Sequence, residues 1–261
     1  MLAVSQEKLF NGFCATLADA RTAYVVPVKS LQHVKQRLGS VLSVAARRQL
    51  MLSMTRDVLN VLSQIEDADV YLLAGDEASA LRSLAQGQAT LLTESDLGTS
   101  GLNSALTALA SLLQCQGYST MTVVHADLPG LTPAVVRRFA GFLNRYDVVA
   151  ATDQRGSGTN LLGWSLSEHF IPQFGPNSLE LHQMSALQRG LTHWVLRDER
   201  SVADIDLPED LQALEHAQQG IGPNTVRWLL NRRKSSAQEK EKGVSDQSAG
   251  SRQTNSPQES S

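Results

Sequence analysis

The segment TVVHADLPGLTP, residues 122–133, carries the side chain that is best placed for chemistry. Its apolar first half predicts a buried strand that ends at Asp127, and Thr132 predicts the cap of a helix that begins at Pro133. Ligands bind at the carboxyl ends of strands in open α/β sheets. Mg²⁺ accepts few protein carboxylates and completes its shell with water and phosphate oxygens. Asp127 is therefore a candidate metal ligand, and the alternative is that it only caps a turn.

Two more carboxylates follow the last predicted strand. Asp204 and Asp206 lie where either could reach the sheet edge beside Asp127, and two carboxylates from separate strand ends make a better Mg²⁺ site than one. His125 precedes Asp127 by two residues, and we expect it to be a packed strand histidine rather than a catalytic one.

Three cations follow the first predicted strand. After Pro27 come Lys29, Lys35 and Arg37, which could hold a triphosphate and neutralise the charge on a leaving pyrophosphate. The alternative is a solvated basic loop. The segment contains neither GxGxxG nor GxxxxGK[ST], so neither an ordinary dinucleotide fold nor a P-loop is favoured.

Two other segments could bind ligands through backbone and amide groups. Gly101 lets the chain approach a flat ligand closely, and Asn103 could read a purine edge, although an asparagine at a helix start often serves only as a cap. Thr159 lies in a glycine-rich turn, and Gly175 precedes a helix whose predicted N-cap is Ser178. The free N–H groups of that helix could bind an anion, or Ser178 could be a cap and nothing more.

Composition limits the function further. The 261 residues include 23 Lys+Arg and 26 Asp+Glu, a net charge of −3, so anion binding must be local and no broad nucleic-acid surface is expected. Cys14 and Cys115 have no metal-ligand spacing and are predicted to be free thiols, and no serine lies in a GxSxG turn, so covalent catalysis is not expected. No apolar run is long enough to cross a membrane, and the predicted location is cytoplasmic.

Predicted strands and helices alternate along most of the chain. Predicted strands cover residues 24–28, 70–74, 89–93, 122–126, 147–151, 160–162 and 193–196, and predicted helices cover 43–63, 78–86, 102–115, 133–144, a segment from 178 and a short segment near 210. This pattern predicts an α/β fold, with a mostly parallel sheet flanked by helices. We divide the chain into an N-terminal extension (1–22), one domain (23–234) and a disordered tail (235–261), in which Val244 is the only branched aliphatic residue.

Six segments, taken in their order and spacing, resemble the 2-phospho-L-lactate guanylyltransferases of coenzyme F420 biosynthesis, whose relatives use phosphoenolpyruvate or 3-phospho-D-glycerate. They are VPVK at 26–29, GLNSAL at 101–106, HADLPGLTP at 125–133, GSGTN at 156–160, FGPNS at 174–178 and DIDLPEDL at 204–211.

The resemblance implies a Rossmann-like domain of the nucleotide-diphospho-sugar transferase (glycosyltransferase-A) type, which uses GTP, a small phosphorylated acid and Mg²⁺. Pro27, Lys29, Gly101 and Asn103 would then contact the nucleotide. Lys29, Lys35, Arg37 and Asp127 would assist catalysis, and Thr159, Gly175 and Ser178 would bind the acid. Asp127 would share the metal with Asp206 or Asp204, and Asp206 matches the ligand position better, although Leu207 replaces a usual threonine. A homodimer is also implied.

Two alternatives stay open at this point. One is a molybdopterin-type nucleotidyltransferase, although that family has a glycine-rich loop before its lysine and VPVKS does not. The other is a nucleotide-binding module without turnover, and the joint presence of Asp127, Asp206 and Lys29 argues against it.

Overall fold

The computed structural model describes residues 21–75, 78–197, 203–217 and 219–234. Its centre is a seven-stranded sheet with the order β3-β2-β1-β4-β6-β5-β7. The strands are β1 (Arg21–Val28), β2 (Ala68–Ala74), β3 (Thr90–Thr93), β4 (Tyr118–Val124), β5 (Val148–Thr152), β6 (Thr159–Ser165) and β7 (His193–Leu196). Strand β6 runs antiparallel to β4 and β5, and the other pairs are parallel, so the predicted mostly parallel sheet is confirmed.

Helices cover both faces of this sheet. They are α1 (Val44–Leu62), α2 (Ala78–Ala85), α3 (Leu102–Cys115), α4 (Pro133–Leu143), α5 (Ser178–Gln188), α6 (Pro208–His216) and α7 (residues 223–234), with a 3-10 turn at Gln36–Ser40. None of the helices in the described ranges combines the length and apolar composition that a bilayer crossing needs.

The sheet separates two hydrophobic cores. Strand β1 is buried on both faces, as is usual for a central parallel strand: Val26 and Val28 pack on the side of α1, whereas Ala23 and Val25 pack on the side of α3. Alternation along the strand therefore supplies both cores from one short segment. The predicted placement of helices on both faces is confirmed.

Every predicted strand except the last differs from the structure at one or both ends, and two of these differences bear on the site. Strand β4 ends at Val124, so Asp127 lies on the loop three residues further along. The short strand predicted at 160–162 is instead β6, which continues through Gly163 to Ser165. Gly163 does not interrupt the strand, because its missing side chain makes room for α4: a Cβ there would lie 2.9 Å from the ring of Phe139.

The predicted tail, Cys14 and most of the predicted N-terminal extension lie outside the described residues. Strand β1 begins at Arg21, the first of them. Cys115, at the end of α3, is an exposed free thiol, as predicted.

Candidate active site

A cleft of about 350 Å³ opens at the edge of the sheet where β1 and β4 end. Because β6 is antiparallel to β4, its first residues reach this same edge. The predicted site residues that line the cleft are Pro27, Lys29, Asp127, Thr159, Gly175, Ser178, Asp204 and Asp206. The structure therefore brings together residues from five separate parts of the sequence.

Three carboxylates lie side by side in the cleft. One oxygen from each of Asp127, Asp204 and Asp206 lies within 4.8 Å of the others. Ile205 is buried in the core between the two later aspartates. Asp204 Oδ1 accepts a hydrogen bond of 3.1 Å from Asn160 Nδ2. Burial and the neighbouring charge of Asp127 raise the pKa of Asp204.

Lys35 brings a positive charge to this cluster. Its ammonium contacts Asp127 Oδ2 and lies 2.6 Å from Asp206 Oδ1, and its side chain is only 4% exposed. Burial opposes the charged form of Lys35, but the two carboxylates outweigh it and raise the pKa of Lys35. Burial also opposes ionisation of Asp127, but the Lys35 charge outweighs it and lowers the pKa of Asp127. Both groups are therefore charged at neutral pH.

The backbone of Lys35 is in an uncommon conformation. Its φ of 51° lies in the left-handed region, where residues other than glycine are rare. The conformation precedes the 3-10 turn Gln36–Ser40. Such strain persists where the surrounding structure requires it, frequently at functional sites. Here it accompanies the delivery of the ammonium to the aspartates.

The cluster has the chemistry of a divalent cation site. Three carboxylates and one ammonium carry excess negative charge, and Asp127 Oδ1 is buried with no hydrogen-bond partner among the described residues. An unpaired buried carboxylate oxygen is costly unless a cation or donor satisfies it. Oxygen ligands of this kind suit a hard cation such as Mg²⁺. The residues present therefore fit the predicted metal.

The other predicted cations occupy different positions. Lys29 is exposed and lines the cleft. The backbone at Lys29 passes so close to Gly75 that a Cβ on Gly75 would lie 2.4 Å from the Lys29 carbonyl oxygen. Arg37 is exposed on the 3-10 turn and is not among the residues that line the cleft. Its predicted contact with a triphosphate stays a prediction.

Gly101 and Asn103 lie at the start of α3, beside the cleft rather than in its lining. The Asn103 amide donates to the Phe174 carbonyl oxygen at 2.9 Å, and its oxygen accepts from the Phe174 N–H at 2.8 Å. These two bonds hold the segment that precedes Gly175. The groups with which Asn103 was expected to read a purine are thus engaged within the protein, and the nucleotide role of both residues stays a prediction.

Thr159, Gly175 and Ser178 line the same cleft as Lys29. The prediction that Ser178 is the N-cap of α5 is wrong: Asn177, with φ of 56°, takes that position without a side-chain cap bond. Ser178 is instead buried in the first turn, and its hydroxyl donates to Thr159 Oγ1 at 3.3 Å. Gly175 has φ of 150°, which side chains rarely adopt.

His125 lies one residue beyond β4 and packs its ring 5.4 Å from that of Phe174. It also lines the cleft. Burial lowers its pKa, although the nearby carboxylates oppose this shift. A packed histidine was predicted, and its access to the cleft was not.

Sequence reasoning missed His182, which is 1% exposed on α5 and bonds to Thr159. A signal was present, because Ser178, His182 and Ser185 are spaced for one helix face, and all three are buried. That polar stripe on the inner face of α5 predicts hydrogen-bonded partners in the interior.

Comparison with known proteins links the chain to guanylyl transferases. A family model described as "Guanylyl transferase CofC like" matches residues 22–241. The phosphoenolpyruvate guanylyltransferase of Chloroflexus aggregans is 33% identical over 192 residues, which are 72% of this chain and 93% of that relative. The phosphoenolpyruvate guanylyltransferase of Sphaerobacter thermophilus is 32% identical over 193 residues, 74% of this chain and 92% of the relative.

Solved structures share the fold at lower identity. A proposed nucleotide-diphospho-sugar transferase from Desulfovibrio desulfuricans G20 superposes with a TM-score of 0.67 at 17% identity and covers 82% of this chain and 95% of its own. A nucleotidyl transferase from Methanothermobacter superposes with a TM-score of 0.55 at 16% identity, over 74% of this chain and 95% of its own. These likenesses confirm the predicted nucleotide-diphospho-sugar transferase type of Rossmann-like fold.

Proposed function

Because this chain belongs to the CofC-like guanylyl transferase family, we propose that it transfers the GMP unit of GTP to the phosphate of a phosphorylated three-carbon acid. Phosphoenolpyruvate is the first candidate acid, since the two relatives that are 33% and 32% identical to this chain are phosphoenolpyruvate guanylyltransferases. 2-Phospho-L-lactate and 3-phospho-D-glycerate are the other candidates. The product would serve coenzyme F420 biosynthesis, as the resemblance of the six segments implies.

One observation carries the proposal: the three aspartates, two of which pair with Lys35, share a cleft with Thr159 and Gly175. A reaction between two anions requires a place for each of them. The aspartate cluster, with a bound cation, can hold a polyphosphate. The Thr159 hydroxyl and the exposed loop at Gly175 can hold a smaller anion beside it.

The bond changes are few. An oxygen of the acid's phosphate forms a bond to the α-phosphorus of GTP, the bond from that phosphorus to the bridging oxygen breaks, and pyrophosphate leaves. A phosphate monoester has a second pKa of about 6 and is mostly dianionic at neutral pH. The nucleophile therefore needs no general base, which agrees with the absence of an evident base and nucleophile pair among the residues that line the cleft.

The side chains then act by position and charge. Asp127 and Asp206, with Asp204, would hold Mg²⁺, which when bound stabilises negative charge on phosphate oxygens. Lys35 fixes the orientation of Asp127 and Asp206 through its two ion pairs. Lys29 adds a positive charge at the cleft, where pyrophosphate charge develops.

A pyrophosphate-release assay tests the proposal. GTP is supplied with each of the three acids, and ATP and CTP replace GTP as controls. We expect release that requires GTP together with one acid. Release from GTP without any acid, equal release with CTP, or no release with any pair would contradict the proposed reaction.

A further inference from the structure

His182 connects the acid side of the cleft to the buried face of α5. Its Nδ1 lies 3.1 Å from Thr159 Oγ1, and its Nε2 accepts a hydrogen bond of 2.9 Å from the Gln173 backbone N–H. The ring packs edge-on against Phe174, with the centroids 4.9 Å apart. One imidazole therefore contacts both Thr159 and the segment that leads to Gly175.

The Gln173 contact determines which ring nitrogen carries the proton. Because a backbone N–H can only donate, Nε2 of His182 must present its lone pair. Burial, together with the charge of His125, lowers the pKa of His182 to about 4, so the ring is neutral at physiological pH. A neutral imidazole with a bare Nε2 carries its hydrogen on Nδ1. His182 Nδ1–H therefore donates to Thr159 Oγ1.

The Thr159 hydroxyl consequently has only its donor hydrogen left for a further hydrogen bond. It accepts from His182 Nδ1–H and from the Ser178 hydroxyl. A hydroxyl has two acceptor lone pairs and one donor hydrogen, so only the hydrogen remains for a further partner. Thr159 lines the cleft, where phosphate and carboxylate oxygens of an acid substrate can only accept.

We propose that His182 is a positioning residue that fixes the Thr159 hydroxyl as a hydrogen-bond donor to the acid substrate. The inference rests on the proposed function for the identity of that substrate. His182 touches no reacting atom. It acts by filling the lone pair with which Thr159 would otherwise repel an anion.

Two substitutions separate the two contacts of the ring. In His182→Gln the longer amide can still accept from Gln173 N–H but removes the donor at the Nδ1 position. In His182→Asn the shorter amide keeps a donor near Nδ1 and loses the Gln173 contact. We expect His182→Gln to raise KM for the acid roughly tenfold, the effect of a lost hydrogen bond to a charged group, with kcat and KM for GTP within about twofold. His182→Asn should raise it by less than about threefold.

Coupling to Thr159 provides the second readout. Thr159→Val keeps the shape and removes the hydroxyl, so it should raise KM for the acid as His182→Gln does. Because both changes remove the same interaction, the double variant should show no further rise. Additive effects of the two changes, or equal effects of His182→Gln and His182→Asn, would overturn the proposal.

Ser185→Ala is the matched control on the same helix. Ser185 is buried one turn beyond His182, and its hydroxyl donates to the Ile171 carbonyl at 3.3 Å, away from the cleft lining. It should lower the melting temperature and leave KM for the acid unchanged. A rise in KM equal to that of His182→Gln would show that general loosening of α5 explains the effect.

The tautomer can be measured without any substrate. Nitrogen-15 NMR of the free protein, with the His182 signals identified by their loss in His182→Gln, should show a proton on Nδ1 and none on Nε2. A proton on Nε2 would overturn the inference even if the enzyme transfers GMP. Absence of turnover in the wild-type protein, with the Nδ1–H form present, would instead contradict the proposed function.

Discussion

The Asp127 carboxylate has one paired and one unpaired oxygen. One of its oxygens contacts Lys35, and the other is buried without a hydrogen-bond partner among the described residues. An ion pair with Lys35 alone satisfies half of this carboxylate. This unpaired oxygen, together with the approach of one oxygen each from Asp127, Asp204 and Asp206 to within 4.8 Å of one another, is the strongest structural argument for a bound cation.

Asp127→Asn tests this argument because it preserves shape and removes the charge. We expect kcat/KM to fall by at least about a hundredfold, the usual cost of losing one strong electrostatic element, while Asp206 still pairs Lys35 and keeps the protein folded. Glu66→Gln, which removes an exposed carboxylate before β2, is the control. Near wild-type Mg²⁺-dependent activity in Asp127→Asn would show that the metal site lies elsewhere.

His182 should make stability depend on pH. The folded protein resists its protonation down to about pH 4, whereas the unfolded chain protonates it near 6.5. The contribution of His182 to the free energy of unfolding is therefore complete above pH 6.5 and is lost as the pH falls towards 4. The free energy of unfolding should fall by about 2.5 kcal/mol between pH 7.5 and 4.5. Urea unfolding at both pH values should show that the free energy of unfolding falls less in His182→Gln than in the wild type. Ser185→Ala, which keeps the imidazole of His182, should show the same loss of unfolding free energy as the wild type.

At the scale of elements, the loop that carries Asp127 is held by the residue that precedes the last described helix. The Gly222 N–H donates to the Pro129 carbonyl at 2.8 Å. Asp57, buried on α1, accepts from the backbone N–H groups of Asn224 at 2.9 Å and Thr225 at 2.8 Å, and so caps the start of α7. Asp57 of α1 thus holds the start of α7, and Gly222 just before α7 holds the loop after β4.

Gly222→Ala should break this arrangement. Its Cβ would lie 2.2 Å from the Asp57 carboxyl carbon, and neither group can move without losing the cap. We expect a loss of at least about 2 kcal/mol in the free energy of unfolding. Gly141→Ala is the matched control, since nothing lies within 4 Å of a Cβ there and alanine favours α4 by roughly 0.5–1 kcal/mol. Equal effects of the two substitutions would contradict the packing described for Gly222.

Elements differ in how far local sequence predicts them. Helix α3 and strand β7 begin and end at the predicted residues. For α3 the reason is that its apolar residues recur at helical spacing after Gly101. Strand β6 was predicted too short, since Gly163 resembles a strand breaker until the packing of Phe139 is known. Its antiparallel position between β4 and β5 depends on pairing that local patterns do not encode.

The site shows the same division. The aspartates were predictable because each follows an apolar strand, and ends of parallel strands share an edge. The ion pairs of Lys35 with Asp127 and Asp206 were not, because they depend on a left-handed backbone residue and on contacts across 92 and 171 positions. Likewise, the proposed role of His182 depends on its contact with Thr159, which lies 23 positions away in the sequence.

At the scale of the whole molecule, the cleft depends on packing between the sheet and helices that are distant in sequence, from β1 to α7. Helix α7 contributes Trp228 and Leu229 to the larger core. The described chain ends with that helix at Lys234. The division into domains and the homodimer stay predictions.

Truncation tests where the functional unit ends. A chain that stops after Lys234 should keep its melting temperature and kcat, because the composition of residues 235–261 offers almost no apolar surface to bury. A chain that stops after Gly220 should fail to fold, since it removes the cap partners of Asp57 and the core residues of α7. A large loss of stability in the first truncation would contradict the predicted tail.

The most direct test of the central claim follows the phosphorus atoms of GTP. Wild-type protein is incubated with Mg²⁺, phosphoenolpyruvate and GTP labelled at either the α or the γ phosphorus, with Asp127→Asn as the paired control. The account predicts that the α label appears in a product joined to the acid, that the γ label appears in pyrophosphate, and that Asp127→Asn forms at least about a hundredfold less of both. Transfer of the γ label to the acid, or release of the α label only as GDP or GMP with each of the three candidate acids, would contradict guanylyl transfer in this cleft.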